Sequence, residues 1–210
     1  MLELDLARIA GTLPDDDFPR WFVVPRLTSP ADQTAWGEAL AELVAPAFVE
    51  DSSELELNHL RSVFVRAATE AFPDPFDQRL FYLPVGAVEG IIVNLVTLPA
   101  DTKVKRRVHQ RALIGGADDT IEAIEDDAGA EIGLCRYDVT RADLDGVQLP
   151  AAAKGVVLPL TASFWAAHRR VVQGTLVDIV AVAVSDDLVT SALGYQAYRE
   201  LVLNQDLYNG

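Results

Sequence analysis

"SFWAAHRRVVQGTLVDIVAVAV", residues 163–184, holds two apolar, β-rich runs on either side of Gln173 and Gly174. Valine, isoleucine, phenylalanine and tryptophan favour the pleated, half-buried surface of a sheet. Gly174 permits the positive φ that a two-residue hairpin turn demands. The segment therefore reads as a tight antiparallel hairpin. A turn centred on Gln173 and Gly174 places Val172 opposite Thr175, Val171 opposite Leu176, Arg170 opposite Val177, Arg169 opposite Asp178 and His168 opposite Ile179. Alternation then puts Arg169 and Asp178 on the face that carries Trp165, Ala167, Val180 and Val182. The aspartate that interrupts "LVDIVAVAV" is expected to pair with an arginine across the ladder, where a partly exposed pair of this kind fixes register and is worth at most ~1 kcal/mol.

Strand periodicity extends back to residue 78, through "QRLFYLPV", "EGIIVNLVTL", "KVKRRVHQRAL" and "AEIGLCRYDV". Ile91, Ile92, Val93, Leu95, Val96 and Leu98 are apolar on both faces, as a central strand covered on two sides requires. Before residue 75 the period is helical. "TSPADQTAWGEALAELVAPAF" offers Ser29 as a cap and Pro30 at the first helical position, with Trp36, Leu40 and Leu43 on one stripe. "SSELELNHLRSVFVRAATEAF" offers Ser53, then Leu57, Leu60, Phe64, Ala67 and Ala71. "RWFVVPRL" is β-rich but short, and Pro25 demotes it to an edge strand or extended connector. "SDDLVTSALGYQAYRELVLNQ" closes the chain as a helix, with Ser185 as its cap and Gly194 as its weak point.

These elements define an α+β fold. A central, mainly antiparallel sheet of about five or six strands is expected under N-terminal helices and a C-terminal helix, in an α/β/α sandwich-like arrangement. Residues 1–75 form the helical segment packed on the sheet and residues 76–210 the sheet with its closing helix, together one compact domain. The stretch from about 78 to 205, ending in "SFWAAHRRVVQGTLVDIVAVAVSDDLVTSALGYQAYRELVL", resembles the PsbP-like pattern of an antiparallel sheet, a final long hairpin and a packed C-terminal helix. The resemblance implies a binding module rather than an enzyme. It carries no family functional residue onto a position of this chain, and the helical first 75 residues depart from the family's plan.

Half of the 210 residues are apolar, enough to bury a sizeable core. The formal net charge of −15 argues against general attraction to nucleic acid or anionic lipid. The single Cys135 lies in the apolar run "IGLCRY" and reads as a small hydrophobe. Glu3 and Asp5 stand where a signal peptide would be positive, and no stretch approaches the roughly 18 apolar residues of a membrane span. A cytoplasmic protein is expected.

The search for catalytic motifs is negative: the chain has no G-x-G-x-x-G, P-loop, G-x-S-x-G, H-E-x-x-H or C-x-x-C. His59, His109 and His168 are far apart, and none has a second histidine or cysteine at metal-ligand spacing. "DLDG", residues 143–146, reads as a turn because Arg141 and Ala152 would occupy the first and last ligand positions of a calcium loop. "PDDDF", residues 14–18, reads as a solvated loop. No catalytic residue, metal or cofactor is expected.

The remaining feature is "DTKVKRRVHQR", residues 101–111, with five of the seventeen Lys and Arg residues. As a strand it would place Lys103, Lys105, Arg107, His109 and Arg111 on one face. Seven acids follow between 118 and 131: Asp118, Asp119, Glu122, Glu125, Asp126, Asp127 and Glu131. An acidic helix or strand returning across the strip would neutralise it. The functional alternative is a docking strip for an acidic protein, and the lack of interleaved aromatics disfavours nucleic acid. The sequence thus points to a non-catalytic protein-binding or assembly module, such as an adaptor, a chaperone-like factor or an inhibitor. Its acidic surface would suit a basic partner, and self-association stays open. The competing class is a small-ligand-binding protein or enzyme with a pocket between sheet and helices, assembled from residues such as Tyr82, Trp165, His168 and Arg169.

Overall fold

The computed structural model describes residues 21–48, 54–84, 89–141 and 160–203. The cap assigned to Ser53, the "PDDDF" loop and the "DLDG" turn lie outside the described residues. Seven antiparallel strands make one sheet: β1 (Trp21–Val23), β2 (Gln78–Tyr82), β3 (Ile91–Pro99), β4 (Ile121–Glu125), β5 (Glu131–Arg141), β6 (Leu160–Val172) and β7 (Thr175–Ser185). Their spatial order is β1-β2-β3-β7-β6-β5-β4. The helices among the described residues are α1 (Pro30–Phe48), α2 (Glu54–Thr69), α3 (Arg106–Ile114) and α4 (Leu188–Leu203). None is long and apolar enough to cross a membrane.

The β6–β7 hairpin has the expected register at every pair from His168↔Ile179 to Val172↔Thr175. Both central turn residues adopt positive φ, Gln173 at 49° and Gly174 at 77°. This is the twist a two-residue loop needs to match its strands. Because β7 and β3 are central, each face of the sheet must be covered.

On one face α4 packs through Tyr198 and Val202 over Ile91, Val93, Phe164, Ala166 and Ala181. Gly194 lies where Ile91 approaches, its Cγ2 only 2.5 Å from the position of an added Cβ, so the glycine that weakens the helix also lets it close on the sheet. On the other face α1 and α2 cover Phe22 and Phe81 through Val44, Val63 and Phe64. Beside them α3 lays Ile114 over Val96, Leu134, Ala167 and Val180. The architecture is the expected α/β/α sandwich.

Four local expectations change. The strand count among the described residues is seven, because the short edges β1 and β4 both join the sheet. "KVKRRVHQRAL" is not a strand: residues 106–114 are helical. In α1 the inward positions are Ala41 and Val44, while Leu43 is turned out with 71% of its surface exposed. Finally, α4 is capped by Asp187 and not Ser185. The Asp187 carboxylate accepts the N–H groups of Val189 at 3.0 Å and Thr190 at 3.2 Å, and Ser185 Oγ accepts the N–H of Asp187. A carboxylate meets the positive helix start better than a hydroxyl. Ser29 does cap α1 as expected, through the N–H of Asp32 at 3.4 Å.

Candidate functional site

The basic stretch folds as a turn followed by α3. Arg, Gln, Ala and Leu in "RRVHQRALI" are strong helix formers, and Gly115 follows at φ 59° with its N–H on the Arg111 carbonyl. The glycine pair at 115 and 116 is the terminator signal that distinguishes this helix from a strand in the sequence. Helical spacing turns Gln110 and Ile114 onto the sheet. It leaves Val108 57% exposed, with Val104 of the preceding turn at 38%.

Lys103, Lys105, Arg107, His109 and Arg111 therefore do not share one face. Arg107 reaches Glu131 at 3.1 Å, Arg106 reaches the same carboxylate at 3.8 Å, and Arg111 pairs with Asp118. The acids of 118–131 do answer part of the strip, as expected. Lys103 and Lys105 are exposed and form no ion pair among the described residues.

His109 turns inward and joins Arg169 on the carboxylate of Asp178. Its Nδ1 lies 2.7 Å from Oδ2 of Asp178, whose side chain is fully buried. Arg169 grips the same carboxylate twice, Nε to Oδ1 at 2.9 Å and Nη2 to Oδ2 at 2.8 Å. The expected Arg169–Asp178 pair is thus present, with His109 added from a helix 69 residues away in sequence. Burial works against the charged carboxylate, but the hydrogen bonds from Arg169 and His109 outweigh it and hold Asp178 below the ordinary carboxylate range. The node fastens α3 to β6 and β7, and orients the imidazole through Nδ1.

The four residues considered for a pocket are not brought together. Tyr82 packs in the core beneath α4, and His168 faces Tyr198 of that helix with ring centroids 6.2 Å apart. Trp165 belongs to the opposite core beneath α3, the side on which Arg169 meets His109. Burial, with Arg170 nearby, drives the His168 imidazole down to about 3. Since the unfolded chain takes up a proton that the fold refuses, stability falls as pH drops below about 6.5. Between about pH 6.5 and 4.5 the loss is roughly 2 kcal/mol, checked by denaturation at each pH, and His168→Leu flattens it.

A second polar cluster ties α4 to the β4 edge. Tyr195 Oη lies 3.0 Å from Cys135 Sγ and donates to Glu122 at 3.2 Å, and Arg199 donates to the same carboxylate at 2.9 Å. Burial pushes the Cys135 thiol up, so it is a packed thiol rather than a reactive thiolate. Among the described residues no group of three His, Cys, Asp or Glu side chains is placed to hold a metal ion. Comparison of the chain with protein-family models, with curated proteins and with solved structures finds no match in any of the three.

Proposed function

We propose that this chain is a non-catalytic, cytoplasmic protein-binding or assembly module that captures an acidic segment of a partner on the outward side of α3 and the turn before it. The observation that carries this reading is the surface of Lys103, Val104, Lys105 and Val108. It sets two exposed lysines, with no ion pair among the described residues, beside two exposed valines. Cations flanking an apolar contact suit a peptide that alternates carboxylates with aliphatic side chains. The net charge of −15 repels a large acidic body. Screening confines that repulsion to about 8 Å at physiological salt, so a short segment can still dock. Nucleic acid is disfavoured because the strip has no aromatic for stacking, and counterion release needs several contacts. The PsbP-like resemblance of residues 78–205 also implies a binding module.

The test is titration of the full chain with a short synthetic peptide of Glu, Asp and Leu. The double variant Lys103→Glu, Lys105→Glu should bind at least roughly tenfold more weakly. Its unfolding free energy should stay within about 0.5 kcal/mol of the parent's, since both side chains are exposed and form no ion pair among the described residues. Equal binding by parent and variant, or no binding by either, would refute the docking surface.

One observation favours a second reading, a small-ligand binder or enzyme: the imidazole of His109 is oriented by a buried carboxylate, as a general base requires. It would take precedence if small anions raised the Tm of the parent and of the lysine variant, but not that of His109→Ala.

A further inference from the structure

We infer that the outer edge of β4 is a docking surface of its own, which takes an extended, lysine- or arginine-rich segment of a partner as an added strand of the sheet. This surface lies apart from the α3 strip, and neither depends on the other.

β4 is the last strand in the sheet order, and among the described residues it pairs only with β5. The main-chain groups on its other side therefore have no ladder partner there. The β4–β5 turn shows which groups these are. The N–H of Asp126 points inward, onto the carbonyl of Ala130 at 3.0 Å. Main-chain groups alternate in direction along a strand, so those of Ile124 also point inward and those of Ala123 and Glu125 point out. In agreement, the Ala123 carbonyl accepts Nη2 of Arg199, from α4, at 3.3 Å.

Charge selects what this edge pairs with. Residues 118–127 carry six acids: Asp118, Asp119, Glu122, Glu125, Asp126 and Asp127. Asp118 pairs with Arg111 and Glu122 with Arg199, while Asp126 closes the turn by accepting the N–H groups of Ala128 and Ala130. Asp119, Glu125 and Asp127 are exposed and form no ion pair among the described residues. Glu122 and Ile124 lie on the α4 face of the sheet and Ala123 on the α3 face. Period two puts Glu125 with Ala123, so carboxylates flank the open edge on both faces.

A second copy of β4 laid on this edge would set acid against acid, which opposes pairing. An extended cationic segment satisfies both features at once, its main chain meeting the outward groups and its side chains the carboxylates. Arg199 displays the same chemistry within the fold, with its guanidinium 2.9 Å from the Glu122 carboxylate and 3.3 Å from the Ala123 carbonyl. A partner's main-chain N–H would replace the longer of these contacts at the ~2.9 Å of a ladder bond, and Glu122 would keep the arginine.

The experiment titrates the full chain with a short capped peptide of alternating Lys and Val, followed by NMR. Saturating peptide should slow hydrogen exchange at the N–H groups of Ala123 and Glu125 by at least about fivefold, because both become ladder donors. The double variant Glu125→Lys, Asp127→Lys should bind at least about tenfold more weakly. Ala123→Pro removes one outward donor and no charge, and should weaken binding by at least about fivefold. If that variant does not fold, the exchange of the parent decides. Binding that leaves the exchange at Ala123 and Glu125 unchanged shows attraction between charges without strand addition and overturns the proposal. Absence of binding overturns it as well, and leaves the acids as guards that keep sheet edges apart.

Discussion

Asp178→Ala is expected to lower the unfolding free energy by about 3–5 kcal/mol, the range for breaking one partner out of a buried pair. The carboxylate is fully buried and accepts from Arg169 twice and from His109 once. Removing it leaves the mostly buried Arg169 guanidinium without the carboxylate that it grips twice. The penalty comes from the uncompensated cation more than from the lost attraction. The double variant Arg169→Met, Asp178→Leu should therefore recover most of the loss, because replacing a buried pair by packed apolar groups is often neutral. The pH dependence has a definite sign. Asp178 is held below its ordinary range in the fold, so its contribution is complete above about pH 4 and fades as pH falls below that. Guanidinium denaturation of the three proteins decides the matter. A single-variant loss under about 1 kcal/mol would show that the pair is solvated and only sets register.

Arg79→Met should cost about 3–4 kcal/mol, since hydrogen bonds from a charged donor are worth roughly 1.5–3 kcal/mol each and several are lost together. Arg79 is 1% exposed in the core between β2 and the helices. Its Nη1 donates to the carbonyls of Ala67 at 2.9 Å and Glu70 at 2.7 Å, its Nη2 to Ala71 at 2.9 Å, and its Nε to Asn94 Oδ1 at 2.9 Å. The ring of Phe72 covers the guanidinium at 4.1 Å. These carbonyls belong to the last turn of α2 and the two residues just beyond it, where no glycine follows to close the helix. A strand residue supplies the donors that a local cap would otherwise provide. Lysine, a point charge without the planar fork, should rescue little. Hydrogen exchange should report the loss first in the last turn of α2. Uniform protection there, with unchanged stability, would refute the capping role.

Both residues carried a faint trace in the sequence, a charge inside an apolar strand, yet only the Asp178 partner across the hairpin could be named. Arg169 and Asp178 are nine residues apart around a two-residue turn, so local chemistry dictates their meeting. His109 and Asp178 are 69 residues apart and meet because β7 lies in the middle of the sheet with α3 above it. No window of sequence contains that order. Residues 103–111 show why the strand reading failed: Val104 and Val108 are four apart, a spacing that suits a strand of period two as well as a helix of period 3.6. The helix-forming Arg, Gln, Ala and Leu of residues 106–114 and the glycine pair at 115 and 116 favoured the helix.

By itself the sequence determined the sheet-and-helix class, the hairpin register, the edge position of "RWFVVPRL" and the start of α1. Each of these is set by side-chain periodicity or by turn and cap chemistry acting over a few residues. The tertiary structure alone decided that α3 is a helix on the β5–β7 face, that Leu43 points outward, that Tyr82 and Trp165 lie on opposite sides of the sheet, and that Arg79 and His109 complete polar contacts begun elsewhere in the chain. Those outcomes depend on which elements become neighbours, and that is chosen by the burial of the whole apolar surface at once rather than by any local preference.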